Sequence, residues 1–117
     1  GLADIGFSQQ LELFEMLRAE SHTPLVIDSA DIREKPEPML TKLCAALDLS
    51  FDPAMLSWPK GGHPSDGVWA AHWYNAVHSS TGFAGPEGPL PALERRDASL
   101  VAAALPAYEK LAALKLT

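Results

Sequence analysis

The stretch that decides the fold runs from Lys35 to Tyr74 and reads KPEPMLTKLCAALDLSFDPAMLSWPKGGHPSDGVWAAHWY. Pro36 and Pro38 are tolerated only in the first turn of a helix, where the missing N–H has no intrahelical partner. Met39, Leu40, Leu43, Cys44 and Leu47 then recur at helical spacing, which predicts a helix to about Leu49. Asp52 followed by Pro53 is a cap and first-position pair, predicting a short second helix through about Trp58. Pro59 ends it, and Lys60-Gly61-Gly62-His63-Pro64-Ser65-Asp66-Gly67 reads as a loop. Asp66 is the expected cap of a third helix, carrying Trp69, Trp73 and Val77 at spacings of four.

Upstream, Phe7, Leu11, Phe14 and Leu17 predict a helix over residues 7–20, capped by Asp4 or Ser8. Pro24 pushes the preceding residue out of helix, so 20–24 is a loop. Leu25-Val26-Ile27 is a short β-prone run and reads as one buried strand. No second good strand is legible, so its partner is expected to be missing. Downstream, Gly85 to Pro91 reads as a loop with little regular structure. A final segment from Leu93 to Leu116 places Leu100, Val101, Ala104, Tyr108, Leu111 and Leu114 or Lys115 on an apolar stripe. Pro106 interrupts it, which predicts a kinked helix or two helices. The expected fold class is therefore mainly α: a single small helical domain over residues 1–117 with one short strand.

Composition narrows the function classes. Of 117 residues 47% are hydrophobic and 21% charged, which suits a folded domain with a modest core. The formal net charge of −6 disfavours non-specific contact with a phosphate backbone. One cysteine, Cys44, cannot form an internal disulfide; on an apolar helix face it is expected to be a buried thiol, pointing to a reducing, cytoplasmic setting. No apolar run approaches the length of a membrane span.

Among chemical candidates, Lys60-Gly61-Gly62 ranks first. Glycines let backbone N–H groups approach an anion and a lysine adds a point charge, so a phosphate or sulfate fits there; a plain connecting loop is the alternative. It is not a Walker A sequence, since no G-x-x-x-x-G-K-[ST] occurs in the chain. His63, His72 and His78 lie nine and six residues apart, without ligand spacing on one helix face, so no metal site is expected. His72 reads as a partly buried ring. The aromatic cluster of Trp58, Trp69, Trp73 and Tyr74 reads as core, with a ligand-stacking platform as the alternative. Asp28 and Asp31 flank the strand end, either as capping residues or as functional carboxylates. No nucleophile–base pair stands out, so no catalytic residue is assigned.

Taken together, the order of these elements resembles the C-terminal part of the bacterial P-loop sulfotransferase-like family. The carriers are Pro24 to Ile32, Pro36-Glu37-Pro38-Met39-Leu40 through Leu47, Phe51 to Pro59, Asp66-Gly67-Val68-Trp69, His72-Trp73-Tyr74 and Ser80-Thr81-Gly82-Phe83. The resemblance implies the C-terminal portion of a P-loop α/β fold whose phosphate-binding N-terminal half is not in this chain. Complete relatives transfer a sulfonate group from 3′-phosphoadenosine-5′-phosphosulfate. Cytosolic members hold the donor's 3′-phosphate on an Arg-Lys-Gly loop before a Gly-Asp-Trp turn. Lys60-Gly61 and Gly67-Val68-Trp69 look like the counterparts, with Pro59 in place of the Arg and Val68 in place of the Asp. The chain is thus expected to be a fragment that does not catalyse or bind the donor tightly by itself. It is also expected to self-associate as a homo-oligomer, with no membrane and no nucleic acid among its partners. Two alternatives stand beside this reading. One is a small helical oligomerisation or interaction module. The other is a helix-turn-helix nucleic-acid binder over residues 36–58.

Overall fold

A computed structural model describes residues 1–117. The elements in chain order are α1 (Leu2–Ile5), α2 (Phe7–Ala19), α3 (Ser29–Glu34), α4 (Pro36–Ala46), a 3-10 turn (Pro53–Leu56), α5 (Ala70–Trp73), α6 (Asn75–Ser79) and α7 (Arg95–Ala112). There is no sheet; two isolated bridges pair Val26 with Lys115 and Ser57 with Gly82. No helix is long and apolar enough to cross a membrane. The chain forms two compact units, residues 1–28 with 87–117, and residues 29–86.

In the first unit α2 packs on α7. The buried residues of α7 are the small Ala104 and Ala107, with Leu111 one turn further. Phe7 meets Tyr108 edge to face at 5.7 Å. Of the expected stripe, Ala104 and Leu111 are buried and Leu100 and Lys115 half-buried, Ala107 joins them, and Val101, Tyr108 and Leu114 are exposed. Pro106 sits inside a single continuous α7. Gly6, at φ 75°, both ends α1 and begins α2, so neither Asp4 nor Ser8 is the α2 cap.

The Leu25-Val26-Ile27 run does have a partner. Val26 pairs in parallel with Lys115, and the Leu116 N–H donates to the Val26 carbonyl at 2.8 Å. The expected strand is thus a single bridge, and its mate is the chain's own tail, a segment too short to read as a strand. Asp28 accepts from the Tyr108 hydroxyl at 2.7 Å and lies 3.9 Å from the Lys115 ammonium. Those contacts anchor the tail and the α7 surface around one carboxylate.

In the second unit α3 packs on α4, which buries Met39, Leu40 and Cys44. Pro36 occupies the first turn of α4 as expected. Both α2 and α4 end in the same six-to-one and five-to-two bonding. His22 and Ser21 N–H groups reach the Leu17 and Arg18 carbonyls, and Leu49 and Asp48 reach Cys44 and Ala45. Ser21 and Asp48 take the left-handed conformation that glycine usually fills, at φ 66° and 56°. Asp52 caps the next element, accepting from the Ala54 N–H at 2.9 Å. That element is one 3-10 turn ending at Leu56, shorter than the helix expected through Trp58. Residues 36–58 thus hold one helix and one turn rather than the two helices expected.

After that turn, residues 57–58 run beside 81–82. The Trp58 N–H donates to the Thr81 carbonyl at 3.1 Å, and its indole donates to the Ser80 hydroxyl at 2.9 Å. Phe83 meets the Trp58 ring edge to face at 5.7 Å. The single helix expected after Asp66 is broken at Tyr74 into the one-turn α5 and α6. Trp69 and Trp73 are 68% and 75% exposed, and His72 is exposed too. They are not core residues. Only Ala70 of that segment is buried.

Candidate functional site

Between the 3-10 turn and α6, the loop 60–66 folds back on the end of α6. Its two glycines are needed for different reasons. Gly61 sits at φ 124°, where a side chain is strained. Its N–H donates to the His78 carbonyl at 2.9 Å, tying the loop to α6. Gly62 has no such torsion but tight surroundings: a Cβ there would lie 3.1 Å from the His78 ring and 3.2 Å from Asp66 Oδ2, so those side chains would have to shift. Lys60 is exposed and makes no ion pair, and the Gly62 N–H has no acceptor within the protein.

Asp66 organises the rest of the loop. Its Oδ2 accepts from the His63 N–H at 2.8 Å and lies 2.9 Å from His78 Nε2. The Asp66 N–H donates back to the His63 carbonyl at 2.9 Å, and the Ser65 N–H donates to His63 Nδ1 at 3.1 Å. The His63 N–H bond, then the His78 side chain, hold the Asp66 carboxyl below its ordinary value of 3.8. An ionised carboxylate needs a donor facing it, so the neutral His78 ring carries its proton on Nε2. His78 Nδ1 has no hydrogen-bond partner and is not a sealed buried atom. The Tyr74 ring stands edge-on to the imidazole at 5.9 Å.

The sequence expectation placed Lys60, Gly61 and Gly62 together by adjacency alone, and placed Asp66 as a helix cap. The structure adds His78, twelve residues beyond Asp66, and makes Asp66 its partner rather than a cap. No local spacing advertised that pair, because the break at Tyr74 is what turns α6 back to the loop. Asp28, the other carboxylate singled out, is engaged by Tyr108 and Lys115 in the first unit. Nowhere do three or more His, Cys, Asp or Glu side chains converge as metal ligands. The loop offers an unpaired ammonium and a free backbone donor, groups that can meet an oxyanion, while the Asp66 carboxylate beside Gly62 opposes one.

The family model described as a sulfotransferase domain matches residues 1–115. Two Arabidopsis thaliana proteins named branched-chain-amino-acid aminotransferase-like protein 1 and 2 are 38% and 34% identical over 84 residues, 72% of this chain. The matched segment spans only 15% of each of those proteins, whose names describe them as wholes. No solved structure matches.

Proposed function

The chain belongs to the sulfotransferase domain family, and from that membership we propose that it serves as the C-terminal part of a sulfonate-transferring protein. In this role Lys60-Gly61-Gly62 contacts the 3′-phosphate of the donor, 3′-phosphoadenosine-5′-phosphosulfate, the cofactor of complete family members. The observation that carries the reading is the Gly62 N–H without an acceptor beside a lysine without an ion pair, on a loop pinned by the Gly61–His78 bond. Residues 1–117 work as one domain in this scheme and do not transfer sulfonate by themselves. Transfer needs preorganised charge around the moving group as well as at the distal phosphate, and no residue here is assigned to the former. The single cysteine, the buried Cys44, suits a cytoplasmic setting.

Titration with adenosine 3′,5′-bisphosphate, followed by backbone amide shifts, tests the site. Binding is expected no tighter than about 1 mM, or roughly 4 kcal/mol, because one loop supplies few ligands. Added salt should weaken it, since Lys60 is exposed. The Gly62 amide should move more than that of Gly61, whose N–H is already committed. Lys60→Ala should abolish the shifts. Unmoved Gly62 at several-fold higher ligand would remove the donor-site reading.

A second reading, a self-associating interaction module, is favoured by one observation. Val68, Trp69, Trp73 and Val77 are all strongly exposed within ten residues of sequence. A homo-oligomer that covers them would lose mass by light scattering in Trp69→Ser/Trp73→Ser, and a monomer at all concentrations would rule it out.

A further inference from the structure

We infer that the first unit carries a binding cleft for an amphipathic anion, a small molecule with one carboxylate or sulfate head and an apolar body, seated with its head at Arg18 and its body along Leu13, Leu17 and Leu25. The inference does not rest on the donor-site reading: the cleft lies wholly within residues 1–28 and 87–117, and the Lys60 loop belongs to the other unit.

Two cavities open on this unit and share walls. One, of about 430 Å³, is lined by Arg18, Ser21, His22 and Thr23, with Phe14 and Pro24 among its apolar residues. The other, of about 250 Å³, is lined by Leu13, Leu17, Leu25 and Ile27, again with Phe14 and Pro24. Because Phe14 and Pro24 line both, the cavities adjoin as the polar and apolar ends of one cleft. Joined, they reach the size at which folded proteins hold small ligands. The sequence order explains the shape. Leu13 with Leu17, and Phe14 with Arg18, are spaced by four and form two adjacent rows on α2. The Ser21 and His22 N–H groups donate to the Arg18 and Leu17 carbonyls, each at 3.0 Å, and turn the chain back at the helix end. Pro24 and the Leu25–Ile27 run then line the same cleft, fixed by the pairing of Val26 with the tail.

Charge selects the ligand. The sequence has 15 acidic side chains against nine Lys and Arg, yet no Asp or Glu lines either cavity, and Arg18 is the one Lys or Arg that does. Arg18 makes no ion pair within the protein. Its guanidinium stands over the Phe14 ring, 5.7 Å from the centroid, which steadies it where the two ends of the cleft meet. The planar fork suits a carboxylate or sulfate, and Ser21, His22 and Thr23 add donors on the same wall. At the apolar end Leu13 and Leu25 are 51% and 40% exposed, so a bound hydrocarbon removes that surface from water. A bare anion leaves the apolar end wet, and a neutral oil makes no use of Arg18. A ligand with both parts uses the whole cleft.

Octanoate and octyl sulfate are the probes, used below the concentrations at which they aggregate, with acetate and octanol as the half-ligands. Backbone amide shifts in residues 10–27 report binding. Octanoate should bind at least about tenfold tighter than acetate and about tenfold tighter than octanol. Arg18→Gln should weaken octanoate about tenfold and leave octanol unchanged, whereas Leu13→Asn should weaken both. Both positions are exposed, so neither variant should lose the fold. Whichever of octanoate and octyl sulfate binds more tightly identifies the head group. Octanol binding as tightly as octanoate, or octanoate binding untouched by Arg18→Gln, reduces the cleft to a bare apolar surface and overturns the inference. Cleft amides that move with protein concentration alone and not with octanoate overturn it too, by showing a second copy on that face. The Gly62 titration reads the other unit and stands or falls separately.

Discussion

Helix α7 and the segment 66–80 both carry apolar residues at spacings of four, and they end in opposite places. On α7, an unbroken 18-residue helix, Ala104, Ala107 and Leu111 go inside against α2. In 66–80 the same periodicity puts Trp69 and Trp73 in solvent and buries only Ala70. The difference is continuity. Periodicity aims side chains along one face only while the helix persists, and here it persists for one turn before Tyr74 breaks it. Segment 66–80 is instead held by polar bonds: Gly61 to the His78 carbonyl, Trp58 to Ser80 and Thr81, and His78 to Asp66. A short segment fixed by hydrogen bonds can leave its rings exposed, whereas a helix fixed by burial needs its apolar face covered.

That contrast can be broken by measurement. Leu111→Ala, which empties a buried position on α7, should cost about 3 kcal/mol in denaturant unfolding. A loss under about 1 kcal/mol would mean that α7 is not held by burial and the contrast fails. Asp52→Ala removes the bond to the Ala54 N–H and should cost about 1 kcal/mol, a test of how far capping supports the polar-bonded unit.

The Asp66–His78 contact sharpens the comparison through pH. The Asp66 carboxyl titrates lower in the folded chain than in the unfolded one. Its stabilisation is therefore complete above its ordinary value of 3.8 and is lost as pH falls through the lower folded value. Asp66→Asn should flatten that acid limb of the stability curve while leaving Leu111→Ala additive with it. An acid limb unchanged in Asp66→Asn would mean that the carboxylate makes no net bond to the loop.

The smallest expected effect is the most pointed. Trp73→Ala should change stability by no more than about 0.5 kcal/mol, because its ring is exposed. A cost approaching that of Leu111→Ala would return Trp73 to a core and restore the uninterrupted helix that the spacing suggested.

Much of the molecule was legible from local rules. The existence of α2 and α4, Pro36 at the head of a helix, the Asp52 cap and the buried Cys44 follow from local chemistry and from apolar residues on a sustained helix, although α4 ends at Ala46 rather than near Leu49 and Gly6 rather than Asp4 or Ser8 precedes α2. The Lys60-Gly61-Gly62 loop was legible for the same reason, since Pro59 and two glycines forbid regular structure over a few residues. Partners distant in sequence were not legible. The mate of Val26 is the tail near Lys115, and the partner of Asp66 is His78. Each depends on where the chain returns after a break, at Tyr74 or beyond α7. Local torsion and periodicity are properties of neighbouring residues, so the amino-acid order determines them directly. Which face of a short helix meets protein, and which donor finds a given carboxylate, is decided only when separate segments compete for the same space and the same hydrogen bonds.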